Sequence, residues 1–163
     1  MKSINFSLPI GLICLLLFLH CEKDDICITS VKESPDLVIL LLNEQEQTRQ
    51  TPPGFLIRPI GTEEKLIQRS GDSLALPLKF NESNTQFEFI TNTGSSNENI
   101  DTLQINYQRV DQYINGACGY RANFILDASP LFILNPGNNW IKGAVILKDT
   151  ISDETTAHLG ILY

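Results

Sequence analysis

Apolar side chains recur at every second position through most of this chain. Leu74, Leu76 and Leu78 form one such series, and Phe87 with Phe89 another; Leu103, Ile105 and Tyr107, then Tyr120, Ala122, Phe124 and Leu126, complete the set. Successive side chains of an extended backbone point to opposite faces, so this spacing buries one face and leaves the other to water. No window shows the 3.6-residue period with end caps that an amphipathic helix requires. The chain is therefore expected to be built from strands.

The run at 37–42 (LVILLL) is continuous rather than alternating. Pro35 before it, its short length and the polar loop 43–53 after it favour a buried strand over a helix fragment. Further strands are predicted at 54–60, 65–68, 73–80 and 86–92. Pro77 has no N–H to give to a ladder, which predicts an edge position for 73–80. The longest strand is predicted at 101–115, where a change of parity between Tyr107 and Val110 suggests a bulge near Arg109. Asn115-Gly116 marks a two-residue turn or a hairpin bulge. The series after it puts Cys118, Tyr120, Ala122, Phe124 and Leu126 on one inward face. Segments 140–151 and 156–163 read as a terminal hairpin around Ser152-Asp153-Glu154, and loss of Leu162 and Tyr163 is expected to destabilise the sheet. About eight short strands separated by turns imply an all-β, antiparallel β-sandwich of immunoglobulin-like or transthyretin-like shape.

Residues 1–20 are set apart from that fold. Lys2 is the only charge before an apolar core at 10–19, the layout of a secretory signal too short to span a bilayer comfortably. Cys21 follows, then Glu22-Lys23-Asp24-Asp25. A cysteine closing a hydrophobic leader resembles the bacterial lipoprotein pattern, in which that cysteine is acylated and becomes the first mature residue. His20 stands where a small residue is usual, and Cys14 lies within the segment expected to be removed. Lys23, Asp24 and Asp25 resemble the Lys-acidic-acidic export tag of surface lipoproteins from Bacteroidota-type bacteria; a solvated acidic tether is the other reading. The expected organisation is a signal peptide at 1–20, a lipidated tether at 21–34 and a β-sandwich at 35–163.

Cleavage before Cys21 leaves three cysteines, and acylation of Cys21 leaves two. In an exported protein an even remainder suggests a disulfide, here Cys27 to Cys118. It would close a loop of 91 residues, contributing about 4 kcal/mol in the chain-entropy model. The competing reading makes Cys118 a nucleophile served by His158, but no local motif supports that pairing.

Several segments together resemble an uncharacterised family of Bacteroidota lipoproteins defined as a domain of unknown function. They are the start CEKDDIC (21–27), Leu76-Pro77-Leu78, Asn106-Tyr107-Gln108-Arg109, Ala117-Cys118-Gly119-Tyr120 and the closing Thr-Ala-His-Leu strand. The resemblance spans nearly the whole mature chain. It implies a lipid anchor, a location in the cell envelope at the outer membrane, facing the periplasm or the cell surface, and a disulfide. It brings no catalytic or binding residues.

Composition narrows the function from the other side. Lys+Arg number 12 against 19 Asp+Glu, a formal charge of −7, which disfavours a nucleic-acid binder and supplies no basic patch for anionic lipid. Neither CxxC nor HxxxH spacing occurs, and no metal or other cofactor is expected. Glu63-Glu64 face opposite ways on a strand, which argues against a joint acid–base role, and Asp149, Asp153 and Glu154 match no established calcium loop. The expectation is a non-enzymatic, membrane-tethered module for an unknown envelope protein or glycan. The alternative is a carbohydrate- or small-ligand-binding accessory module whose platform is drawn from Trp140, Tyr107, Tyr113 and Tyr120.

Overall fold

The computed structural model describes residue 27 and residues 33–62, 68–70 and 73–163. The expected signal peptide, Cys21, the Lys23-Asp24-Asp25 tag, Glu63-Glu64 and most of the strand predicted at 65–68 lie outside the described residues.

Among the described residues ten strands follow one another: β1 (Leu37–Leu42), β2 (Leu56–Pro59), β3 (Gln68–Ser70), β4 (Ser73–Leu76), β5 (Asn84–Thr91), β6 (Asn99–Asn115), β7 (Gly119–Ile133), β8 (Gly143–Ile146), β9 (Thr150–Ile151) and β10 (Leu159–Leu162). They form two five-stranded sheets, in the orders β3-β4-β1-β10-β8 and β2-β5-β6-β7-β9. Among these strands every pairing is antiparallel except that of β1 with β10. The architecture is all-β and sandwich-like.

The continuous apolar run of β1 is explained by its place. It lies between β4 and β10 in the middle of its sheet, and all six of its side chains are buried. Leu37, Ile39 and Leu41 enter the main core with Leu74, Leu76, Leu159 and Ile161, and Phe87, Phe89, Leu103, Ile105 and Phe124 meet them from the facing sheet. Val38, Leu40 and Leu42 pack on the opposite face. There Leu42 and Val145 close over Gly160, where a Cβ would lie 2.6 and 2.9 Å from their side chains.

Four sequence expectations need correction. Strand β4 stops at Leu76, before Pro77, and is flanked on both sides by β3 and β1, so the proline ends the strand and does not mark an edge. Pairing is regular from Tyr107↔Leu126 to Tyr113↔Tyr120, so there is no bulge at Arg109. The irregularity lies in the partner, where residues 127–130 of β7 stand opposite Asn106 alone, and Val110 breaks parity because the strand has by then left the core. The terminal hairpin pairs β8 with β10, but its connection crosses to the other sheet, where β9 pairs with β7. Trp140 precedes the hairpin and is not part of a strand.

The fourth correction concerns the face shared by Cys118 and Leu126. Ala122, Phe124 and Leu126 are buried, but Tyr120 is 69% exposed, Cys118 half-buried and Cys27 exposed. The reason is length. β6 and β7 outrun the opposing sheet and continue as a two-stranded ribbon whose tip is covered by no other described strand.

Candidate functional site

The end of that ribbon is where the sequence-predicted residues converge. Its tip is a three-residue loop between Asn115 and Gly119. The Asn115 side-chain oxygen accepts from the N–H groups of Ala117 (3.0 Å) and Cys118 (2.7 Å), an Asx turn that organises the loop locally. Gly119 takes φ 68°, the left-handed conformation needed to re-enter the strand after such a loop. Ile114 is the extra residue where the register shifts.

A disulfide joins Cys118 in this loop to Cys27, with Cα atoms 4.8 Å apart. It ties the stretch preceding the domain to the ribbon tip. In this state Cys118 has no thiolate with which to act as a nucleophile.

Tyr113 and Tyr120 face each other in register next to the loop. They are 59% and 69% exposed, and their rings meet edge to face, centroids 5.3 Å apart at 64°. Further along the same face Phe80, 52% exposed, stacks on the buried Phe124 at 6.2 Å. The Arg109 guanidinium donates to the Phe80 carbonyl (3.2 Å) and pairs with Asp111 (2.6 Å). Phe80, Tyr120, Cys27 and Cys118 line one hollow of about 390 Å³. Glu33, Ser34 and Arg121 continue it into a second hollow of about 490 Å³ bordered by Asp36, Asp153 and Glu154. The Ser34 hydroxyl oxygen accepts the Ala122 N–H (3.1 Å), and the Arg121 guanidinium donates to the side-chain oxygen of Gln112 (2.9 Å) and the carbonyl of Ser152 (3.3 Å).

The other two platform candidates lie elsewhere. Tyr107 is fully buried. Its hydroxyl donates to the Lys79 carbonyl (2.9 Å) and meets the Thr85 hydroxyl at 2.7 Å, while Thr85 accepts the Lys79 N–H (3.1 Å). Burial raises the Tyr107 pKa. Trp140 is half-buried, wedged edge-on between Phe55 and Tyr163, with its indole N–H on the Phe89 carbonyl (3.1 Å). Neither presents a free ring face beside Tyr113 and Tyr120.

The carboxylates weighed for calcium are engaged by donors of the chain. Asp149 takes the Thr150 hydroxyl, and Asp153 takes Thr155 and Lys148. Those bonds, Thr155 first, hold Asp153 well below the usual carboxylate range. Among the described residues no group of three His, Cys, Asp or Glu side chains could hold a metal ion, and no helix is long and apolar enough to cross a membrane.

Phe80 and Arg121 were missed as site residues. Phe80 looks like the inward end of an alternating series, and only the chain-stopping Pro77 hints that the series has already ended. Arg121 carries no local signal.

Two sheets and a disulfide-pinned ribbon define a sandwich-like, all-β domain with a half-open aromatic end. The chain belongs to a family of unknown function (DUF6452), whose model matches residues 56–163. That span begins at β2 and leaves out β1, although β1 sits at the centre of one sheet. No curated protein and no solved structure matches the chain.

Proposed function

We infer that this chain is a lipoprotein of the bacterial cell envelope, held at the outer membrane by acyl chains on Cys21, and that its all-β domain is a non-catalytic interaction module. The observation that carries this reading is the Cys27–Cys118 disulfide. Such bonds persist in oxidising compartments outside the cytosol, and this one fixes the stretch that follows Cys21 to the open end of the domain. Lys23, Asp24 and Asp25 fit a tag that routes the protein toward the cell surface. Acylation supplies a lasting anchor, since each buried CH₂ of the chains contributes about 0.8 kcal/mol.

Intact-mass spectrometry of the protein purified from envelope membranes tests the reading. The expected species begins at Cys21, carries an acyl adduct and contains no free thiol at Cys27 or Cys118. Cys21→Ser should abolish the adduct, and alanine at Lys23, Asp24 and Asp25 should reduce protease access on intact cells. A mature species that still carries Met1 overturns it.

A further inference from the structure

We propose that the ribbon end formed by Phe80, Tyr113 and Tyr120 docks onto the lipid–water interface of the membrane that carries the anchor. The proposal rests on acylation at Cys21 and adds to it a contact surface and an orientation for the domain.

The argument begins with reach. Five residues separate Cys21 from Cys27, so over six residue steps the acylated position lies within about 22 Å of Cys27 even if the connection is fully extended. Cys27 is bonded to the ribbon tip and shares a hollow with Phe80 and Tyr120. The 17-residue strand β6 spans roughly 55 Å from that tip to its other end. An anchor with the shorter reach therefore pulls the ribbon end, and not the far end, toward the bilayer.

The two ends differ in chemistry accordingly. Polar loops dominate the far end, Thr-Gly-Ser-Ser-Asn-Glu at 93–98 and Asn-Pro-Gly-Asn-Asn at 135–139, with Leu134 beside them 44% exposed but no aromatic ring in either loop. At the ribbon end three aromatic rings are more than half exposed. Tyrosine has an apolar body and a polar tip, which suits headgroup depth, where one end is dry and the other wet. Charge favours an uncharged lipid surface. Arg109 is paired with Asp111, Glu33 and Arg121 border the hollow together with opposite charges, and the whole chain is acidic. The contact should depend on apolar burial and not on anionic lipid.

The test uses the acylated protein reconstituted in phosphatidylcholine vesicles, with a fluorescent reporter introduced as Tyr113→Trp and the emission of the parent, due to Trp140, subtracted. Lipids brominated near the headgroup should quench the added indole and shift its emission to the blue, equally at low and high salt. Ser96→Trp, at the far end, should remain unquenched. Tyr120→Trp repeats the reading from the facing strand, so misfolding of one variant leaves a second measurement. Protein that floats with the vesicles but keeps an unquenched, unshifted indole overturns the docking and leaves the anchor standing. A blue-shifted but unquenched indole places the ring against protein and also overturns it. Failure to float removes the acyl anchor, and the docking falls with it.

Discussion

His158 and Val38 hold each other twice. The His158 N–H donates to the Val38 carbonyl at 2.8 Å, and the Val38 N–H donates to Nδ1 of His158 at 3.0 Å. The ring is fully buried, so Nδ1 must be unprotonated to accept, and the proton of the neutral imidazole sits on Nε2. Protonating Nδ1 would break the bond to Val38 and place a charge in the interior.

That geometry sets a pH dependence. Burial first, then the nearby Lys148, lowers the His158 pKa below 6.5. The unfolded chain therefore takes up a proton that the folded one refuses. Stability is intact above pH 6.5 and falls as the solution is acidified below it, until the folded state also protonates. Urea midpoints measured from pH 7.5 downward should show this loss. His158→Asn, whose side-chain oxygen can accept the Val38 N–H, should be less stable at pH 7.5 and should flatten the slope between pH 6.5 and the onset of carboxylate titration. A slope unchanged by the substitution assigns it to another group.

A second prediction concerns the closed ring of bonds at Tyr107. Its hydroxyl gives its proton to the Lys79 carbonyl, so the Thr85 hydroxyl must donate to the Tyr107 oxygen while accepting the Lys79 N–H. Tyr107→Phe leaves the buried Thr85 hydroxyl and the part-buried Lys79 carbonyl each short of a partner and should cost about 1–3 kcal/mol. Thr85→Val should cost a similar amount, and the double variant less than the sum, because both break the same ring. Additive losses in denaturant unfolding would show that the two residues act separately.

Asp101 makes a comparable case with a carboxylate. It is fully buried and accepts the Ile141 N–H (2.8 Å) and the Asn139 side-chain N–H (2.8 Å). It thereby fastens the 134–142 connection, from which Ile141 reaches the core. Asp101→Ala should cost about 2–3 kcal/mol by orphaning those donors, and Asp101→Asn, which keeps one acceptor, should cost less. Thermal melts of the two variants give the order directly.

Much of this fold is legible in local pattern, because a period of two is a strong statement about strands. The spans around Leu37, Phe87, Leu103 and Phe124 are readable from alternation or from a bounded apolar run. What local pattern does not contain is the distance to the opposite sheet. Tyr120 continues the alternation of Ala122, Phe124 and Leu126 past the reach of the facing sheet, so the same signal that marks Phe124 as core marks Tyr120 wrongly. The crossing of β9 to the second sheet rests on two residues, too few to carry a period. The partnership of β1 with β10 is a long-range parallel pairing that leaves no trace in either segment beyond their shared hydrophobicity. Cysteine parity, in contrast, needs no geometry, and it points to Cys27 and Cys118, a covalent contact across 91 residues of chain.

The disulfide offers the sharpest test of how the ribbon is held. Beyond Asp111 and Ala122 neither strand gives a side chain to the core, and among the described residues the restraints on their end are the β6–β7 ladder, the Asn115 turn, the contacts of Ser34 and Arg121, and the bond to Cys27. Cys27→Ser with Cys118→Ser removes a cross-link closing a long loop, and the chain-entropy model gives a global loss of about 4 kcal/mol. A second effect should be local. Amide hydrogen exchange under native conditions should accelerate most in the ribbon from Gln112 to Arg121, while Leu103 to Tyr107 keep protection close to that set by the new global stability. If protection falls uniformly along β6, the ribbon is held by its own ladder, and the bond to Cys27 stabilises the domain only through the unfolded chain.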